Sequence, residues 1–141
     1  MKTGIIIEKY GALSIFFVAC IVFKLAEPAQ FLDKISNCVS DLISFFAILI
    51  GFSFTSLSIL FSYRNRPFVK VANTYGGFNR LICFHKSAIT WGIATCLTSL
   101  LFKLSDFIGS WFLLGVVVAS CFAIAQMFFF FFKFISLDLK K

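Results

Sequence analysis

The sequence predicts an all-α integral membrane protein: four transmembrane helices, both termini cytoplasmic, packed as an oligomeric bundle. Three observations lead there. Of the 141 residues, 60% are hydrophobic and 13% charged, with a mean hydropathy of +0.99; soluble domains have roughly 45–50% apolar and about 25% charged residues. Four apolar runs are each long enough to cross a hydrocarbon core about 30 Å thick, which takes roughly 20 helical residues. The basic residues gather on one side of those runs.

The first run covers about residues 5–26 and is closed by Pro28. It has Lys2 and Lys9 before it, as a secretory signal would. No small-x-small cleavage site is followed by a soluble mature chain, so a retained first span is expected. The second run covers about 39–63 and ends at Arg64 and Pro67, because the residue before a proline is driven from helical angles. The third covers about 81–102 and the fourth about 107–135. All four are expected to be helical, since hydrocarbon cannot satisfy free backbone N–H and C=O groups. None alternates as the strands of a membrane barrel do. The chain is one transmembrane domain, 1–141; its longest stretch that is not plainly apolar, 64–80, is too short to fold alone.

Orientation follows from Lys and Arg. Lys2, Lys9, Arg64, Arg66, Lys70, Arg80, Lys86, Lys133, Lys140 and Lys141 fall on one side; Lys24, Lys34 and Lys103 fall on the other. The first side is expected to be cytoplasmic. The fourth run exceeds the hydrocarbon thickness, so it tilts or projects. Its Phe128–Phe132 stretch covers every side of a helix, some rings toward lipid and some toward a neighbour. An interfacial aromatic belt, a constriction at a pore mouth and a partner dock are the three roles open to it.

The second run spends uncommonly many positions on hydroxyls. Ser44, Ala47, Gly51, Thr55, Ser58 and Ser62 recur at spacings of three and four and so share one helix face. The third run has Ala88, Gly92, Thr95 and Ser99, and the fourth Gly115, Ala119 and Ala123. Without a hydrophobic drive between helices in lipid, small residues that let backbones approach supply the packing energy. These stripes predict tight contacts within or between chains, and three of them on so short a chain favour a homo-oligomer. The alternative for the same positions, together with Ser53 and Ser56, is the lining of a water-filled path. No span carries a charge at its centre, as proton relays and ion-coupled carriers usually do. Asp41 comes nearest, and reads as a carboxylate at a helix start.

The connector 64–80, RNRPFVKVANTYGGFNR, is expected to lie on the inner membrane surface with a turn at Gly76–Gly77. Arg64, Arg66, Lys70, Arg80 and nearby Lys86 suit anionic headgroups or a cytosolic partner protein. Nucleic acid is not the expected partner, because any inner-leaflet loop has this composition. Cys20, Cys38, Cys83, Cys96 and Cys121 form no metal-binding pattern, and no cofactor is expected. His85, the single histidine, reads as an interfacial residue or a pH sensor. No catalytic motif is present. Ser53 and Ser56, counted from Arg64, come out deeper than His85 counted from Arg80; Ser58 alone comes near its level, and a catalytic serine–histidine pair is not expected.

The stretch FFAILIGFSFTSLSILFS followed by a basic loop, within this topology, resembles the small four-span inner-membrane subunits of bacterial anti-phage defence systems, the Kiwa membrane subunit being the nearest. The resemblance implies a multi-pass protein of the bacterial inner membrane: an oligomeric sensor or anchor that works with a cytosolic effector. It carries no site residues onto this chain. A small homo-oligomeric channel or pore is the alternative function.

Overall fold

The computed structural model describes the backbone of residues 2–26, 29–62, 77–104 and 109–138, and the side chains of 10–26, 38–62, 77–104, 109–133 and 136. The described residues form four helices: α1 (Lys2–Ala26), α2 (Ala29–Ser62), α3 (Gly77–Leu104) and α4 (Ser110–Asp138). Three contain segments long and apolar enough to cross a membrane, Cys38–Ser62, Gly77–Leu104 and Ser110–Lys133, and α1 carries a shorter apolar segment, Tyr10–Ala26.

The helix bounds differ from the apolar runs in informative ways. At 34 residues, α2 is roughly 51 Å long at 1.5 Å per residue, because it begins ten residues before the apolar run, at Ala29 instead of 39. Hydropathy marks where lipid is tolerated, whereas helix continues through the polar Gln30–Asn37 stretch, which has no proline and no glycine. In the same way α3 starts at Gly77, so residues 77–80 of the expected connector are its first turn. The remainder of the connector, with Arg64, Arg66, Lys70 and the turn residue Gly76, lies outside the described residues, as does Pro28. Gly109 stands at the start of α4, its carbonyl accepting from the N–H groups of Phe112 and Leu113 at 3.0 and 3.4 Å.

The helices pack in the spatial order α1–α4–α3–α2: α3 lies against α4, α2 against α3, and α1 against α4. Neighbours run antiparallel. Along α3 and α4 the pairs are Phe84 with Phe130 and Thr95 with Ser120. Along α2 and α3 they are Ser56 with His85 and Ser40 with Lys103. Along α1 and α4, Gly11 faces Phe122 while Lys24 lies over Trp111. The start of α1, the end of α4, the end of α2 and the start of α3 therefore share one end of the bundle.

Three clusters form the core. Leu60, Phe78 and Leu81 join α2 and α3 at the end that holds the termini, with Phe130 and Phe131 of α4 packed on them. Phe84, Ala88 and Met127 follow in the middle. Val39 and Leu113 close the opposite end. Large apolar side chains cover the outside, Ile48 of α2 being 72% and Phe129 of α4 65% exposed. In water such a surface would aggregate; in lipid it is the solvated surface.

Two glycines mark the closest helix crossings. A Cβ on Gly92 would stand 2.9 Å from the Ile50 side chain of α2. A Cβ on Gly115 would collide with the Cys20 sulfur of α1, beside the Cys20 backbone nitrogen and Phe16. At both, the absent side chain is what makes room for the neighbouring helix.

Candidate functional site

The interior of the bundle is not purely apolar. Ser53, Ser56, His85, Thr95, Thr98, Ser99 and Ser120 are all buried. All but Thr98 fall into two polar groups, separated along α3 by Ala88, Ile89 and Gly92.

The first joins α2 to α3. His85 is fully buried, with Nδ1 2.9 Å from the Leu81 carbonyl one turn back and Nε2 3.0 Å from Ser56 Oγ on α2. A carbonyl can only accept, so Nδ1 carries the proton. Nε2 is then the acceptor, and Ser56 donates to it. One imidazole proton and one hydroxyl proton satisfy both ring nitrogens of a neutral histidine. Phe131 of α4 stands with its ring centroid 6.2 Å from the imidazole. One turn deeper, Ser53 donates to the Leu49 carbonyl at 2.8 Å, with the Met127 sulfur at 3.5 Å as the weaker acceptor.

Here the depth estimate from sequence is corrected. Ser56 and His85 are level. Counted from the helix ends Ser62 and Gly77, they lie about 9 and 12 Å in at 1.5 Å per residue. Counting from Arg64 and Arg80 assumed that those two residues share a level, whereas Arg80 already belongs to the first turn of α3. A serine donating to a histidine is the contact of an activated nucleophile. Oxyanion stabilisation needs N–H groups aimed at one point, and both residues sit in mid-helix, where the N–H groups bond within their own helices. What the contact does supply is a directional link between α2 and α3 in a medium that offers no competing water.

The second cluster joins α3 to α4. Thr95 and Ser120 meet hydroxyl to hydroxyl, and Ser120 Oγ also lies 2.8 Å from the Trp91 carbonyl and 2.9 Å from the Val116 carbonyl. Thr95 Oγ1 is 3.1 Å from the same Trp91 carbonyl. Two protons serve these contacts: one hydroxyl donates to the other, and the second proton goes to a carbonyl. Ser99, one turn further along α3, is fully buried and its hydroxyl has no partner among the described residues.

The stripe expected on α2 lies elsewhere. Ser44, Ala47, Gly51, Thr55, Ser58 and Ser62 are all exposed, and nothing stands within 4 Å of a Cβ built on Gly51. These residues do not pack inside the protomer. The hydroxyls of Ser44, Thr55 and Ser58 each donate to the carbonyl four residues back, at 3.0 Å. The α3 and α4 stripes are internal: Gly92, Gly115, Ala119 and Ala123 are buried. Periodicity finds a small-residue face, but it does not say whether the neighbour belongs to the same chain. The face that α2 turns inward, Val39, Phe46, Ser53, Ser56 and Leu60, mixes the largest side chain with the smallest, which is why composition alone passed over it. Ser56 and His85 lie far apart in sequence, and only the antiparallel α2–α3 register, extended to the true helix ends, would have paired them.

Of the basic residues, Arg80 and Lys86 are exposed on the first turns of α3, and Lys133 is exposed on α4 at the same end. The phenylalanine run is divided: Phe130 stacks on Phe84 of α3 at 4.2 Å and Phe128 on Phe52 of α2 at 5.8 Å, while Phe129 and Phe132 are exposed. All five cysteines are free thiols. Among the described residues no three His, Cys, Asp or Glu side chains group as a metal site would require. No family model matches the chain, and no curated protein or solved structure matches it either.

Proposed function

We propose that this chain is a four-span, self-associating subunit of the bacterial inner membrane, with both termini in the cytoplasm, which couples a membrane event to a cytosolic partner. The observation that carries the proposal is the exposed small-residue face of α2. The glycines of α3 and α4 are taken up in closing the protomer, whereas nothing stands within 4 Å of a Cβ on Gly51 and the other residues of its stripe are exposed. In lipid, a face of small residues is the surface on which another helix gains most by close approach, and a second copy of α2 is the neighbour it fits.

The antiparallel packing of α1 along α4, from Gly11 to Lys24, supports a fourth span. The exposed Arg80, Lys86 and Lys133 at the end that holds both termini support a cytoplasmic assignment for that end. The proposed output passes through another protein. The connector residues Arg64, Arg66 and Lys70, with Arg80 and Lys86, are its proposed contact, and anionic headgroups are the other ligand of those cations. A role in phage defence follows from the resemblance to defence-system membrane subunits and extends this proposal.

The test is the mass and composition of the full chain extracted in mild detergent from its native host. A homo-oligomer that carries a stoichiometric cytosolic protein, released when Arg64, Arg66 and Lys70 are replaced by Gln, is the expected result. A chain that runs as a bare monomer overturns the proposal. The exposed hydroxyls of Ser44, Thr55 and Ser58 favour one alternative, a small channel lined by α2 at the oligomer axis. Ion flux through liposomes containing the purified chain would establish it, and silent liposomes would remove it.

A further inference from the structure

A shallow apolar groove lies between α1 and α4. It is about 370 Å³ in volume, lined by Ser14, Ile15, Val18, Ala19, Val22 and Phe23 of α1 and by Val118 of α4. Residues 14, 15, 18, 19, 22 and 23 follow the spacing of one helix face, so the groove runs along α1 for about 14 Å at 1.5 Å per residue. It is open at its side. Its floor is Ala19, buried against α4, while Val18 and Val22 stand on its exposed rim.

One end of the groove carries charge. Trp111 lies two turns from Val118 on the same line of α4, and the Lys24 ammonium stands over its ring, 5.7 Å from the centroid. A lysine and a tryptophan at the end of an apolar helix pair are the residues that settle at the headgroup level.

We propose that this groove is a phospholipid site, one acyl chain lying between α1 and α4 and the headgroup phosphate meeting Lys24. At the ~30 Å³ that a water-sized group occupies, the volume holds on the order of a dozen methylenes, a single chain's worth. The apolar lining excludes a polar ligand, because a desolvated polar group there would find no partner. Lys24 at the mouth selects an anionic end. The site stands at the opposite end of the bundle from Arg80 and Lys86, and it does not depend on the α2 face or on any partner protein.

Native mass spectrometry of the full chain, extracted from vesicles of mixed phosphatidylglycerol and phosphatidylcholine, tests it. One retained phospholipid per protomer is expected, enriched in phosphatidylglycerol. Val18→Trp fills the rim of the groove and should abolish retention. Lys24→Gln removes the phosphate contact and should lower the phosphatidylglycerol preference about fivefold, the effect of one basic side chain near a headgroup. Leu97→Trp, on the exposed side of α3, is the control and should change nothing; both tryptophan positions are exposed, so neither threatens the fold. Three outcomes overturn the proposal: no retained lipid, equal loss from Val18→Trp and Leu97→Trp, or unchanged lipid with Val18→Trp lowering the oligomer mass. The last would assign the groove to a second copy of the chain.

Discussion

The two sides of α2 use the same residue types for opposite ends. Its inward side places Ser53 and Ser56 against α3 and α4, and Ser56 spends its proton on another helix, at His85. Its outward side places Ser44, Thr55 and Ser58 toward the surroundings, and each spends its proton on its own helix. A hydroxyl bonded to the carbonyl four residues back is self-contained and tolerates lipid. A hydroxyl bonded across helices fixes a register. The same contrast holds for the glycines, with Gly115 against the Cys20 sulfur and Gly51 against nothing. In a solvent as apolar as the side chains themselves, hydrophobicity does not distinguish inside from outside, so the placement of small and polar groups carries that information.

The sharpest way to break the comparison is to add bulk where the backbones already touch. Gly115→Leu should cost the protomer about 3 kcal/mol or more, the upper range for overpacking, because Cys20 and Phe16 leave no room to move aside. Unfolding by denaturing detergent, followed by circular dichroism, reads it. A Gly115→Leu chain as stable as wild type would mean that α1 does not pack on α4 as described.

The next effect comes from the inward hydroxyl pair. His85→Leu removes the imidazole and leaves Ser56 to turn back on its own helix; a loss of about 2 kcal/mol is expected, since a buried group loses its partner and ring volume is vacated. Ser56→Ala leaves a buried nitrogen unpaired and should cost about 1 kcal/mol. The double variant should cost less than the sum, the signature of a direct contact. Strict additivity would show that the two residues do not interact. The Thr95–Ser120 link should be weaker: Ser120→Ala is expected to cost about 0.6 kcal/mol, the average for interhelical hydrogen bonds in membranes, because Thr95 can redirect its proton to the Trp91 carbonyl.

Much of this architecture is legible in the sequence. Four apolar runs closed by charge or proline place the helices, since lipid permits little else. The ends are less legible, as α2 shows: helix propensity continues through Gln30–Asn37 after hydropathy has fallen. Of the basic side, Arg80, Lys86 and Lys133 lie at one end of the bundle, near the helix ends where hydropathy falls. The polar interior is not legible. His85 has no pattern around it, and its partner is set by the register of two antiparallel helices, a long-range quantity that no local window contains. The α2 stripe is legible as a face but not as an outer one. Its spacing matches that of Gly115, Ala119 and Ala123, and only the positions of the other helices separate a used face from a free one.

The smallest effect on the protomer is the one that decides what the free face is for. Gly51→Leu adds four carbons where nothing stands within 4 Å, and it removes a glycine from mid-helix, which costs roughly 0.8–1 kcal/mol relative to alanine in water. The protomer should therefore unfold at the same detergent fraction as wild type or at a slightly higher one. If α2 meets α2 across an oligomer interface, the same leucine holds the two backbones apart and the association weakens, so the mass in mild detergent should fall toward that of one chain. Thr55→Ala is the companion: it keeps the face small, removes a hydroxyl already bonded to Gly51, and should leave both stability and mass within error. A chain in which Gly51→Leu alters neither quantity has its neighbour elsewhere, and the outward side of α2 would then be an ordinary lipid-facing surface whose small residues serve only to let its hydroxyls bond back.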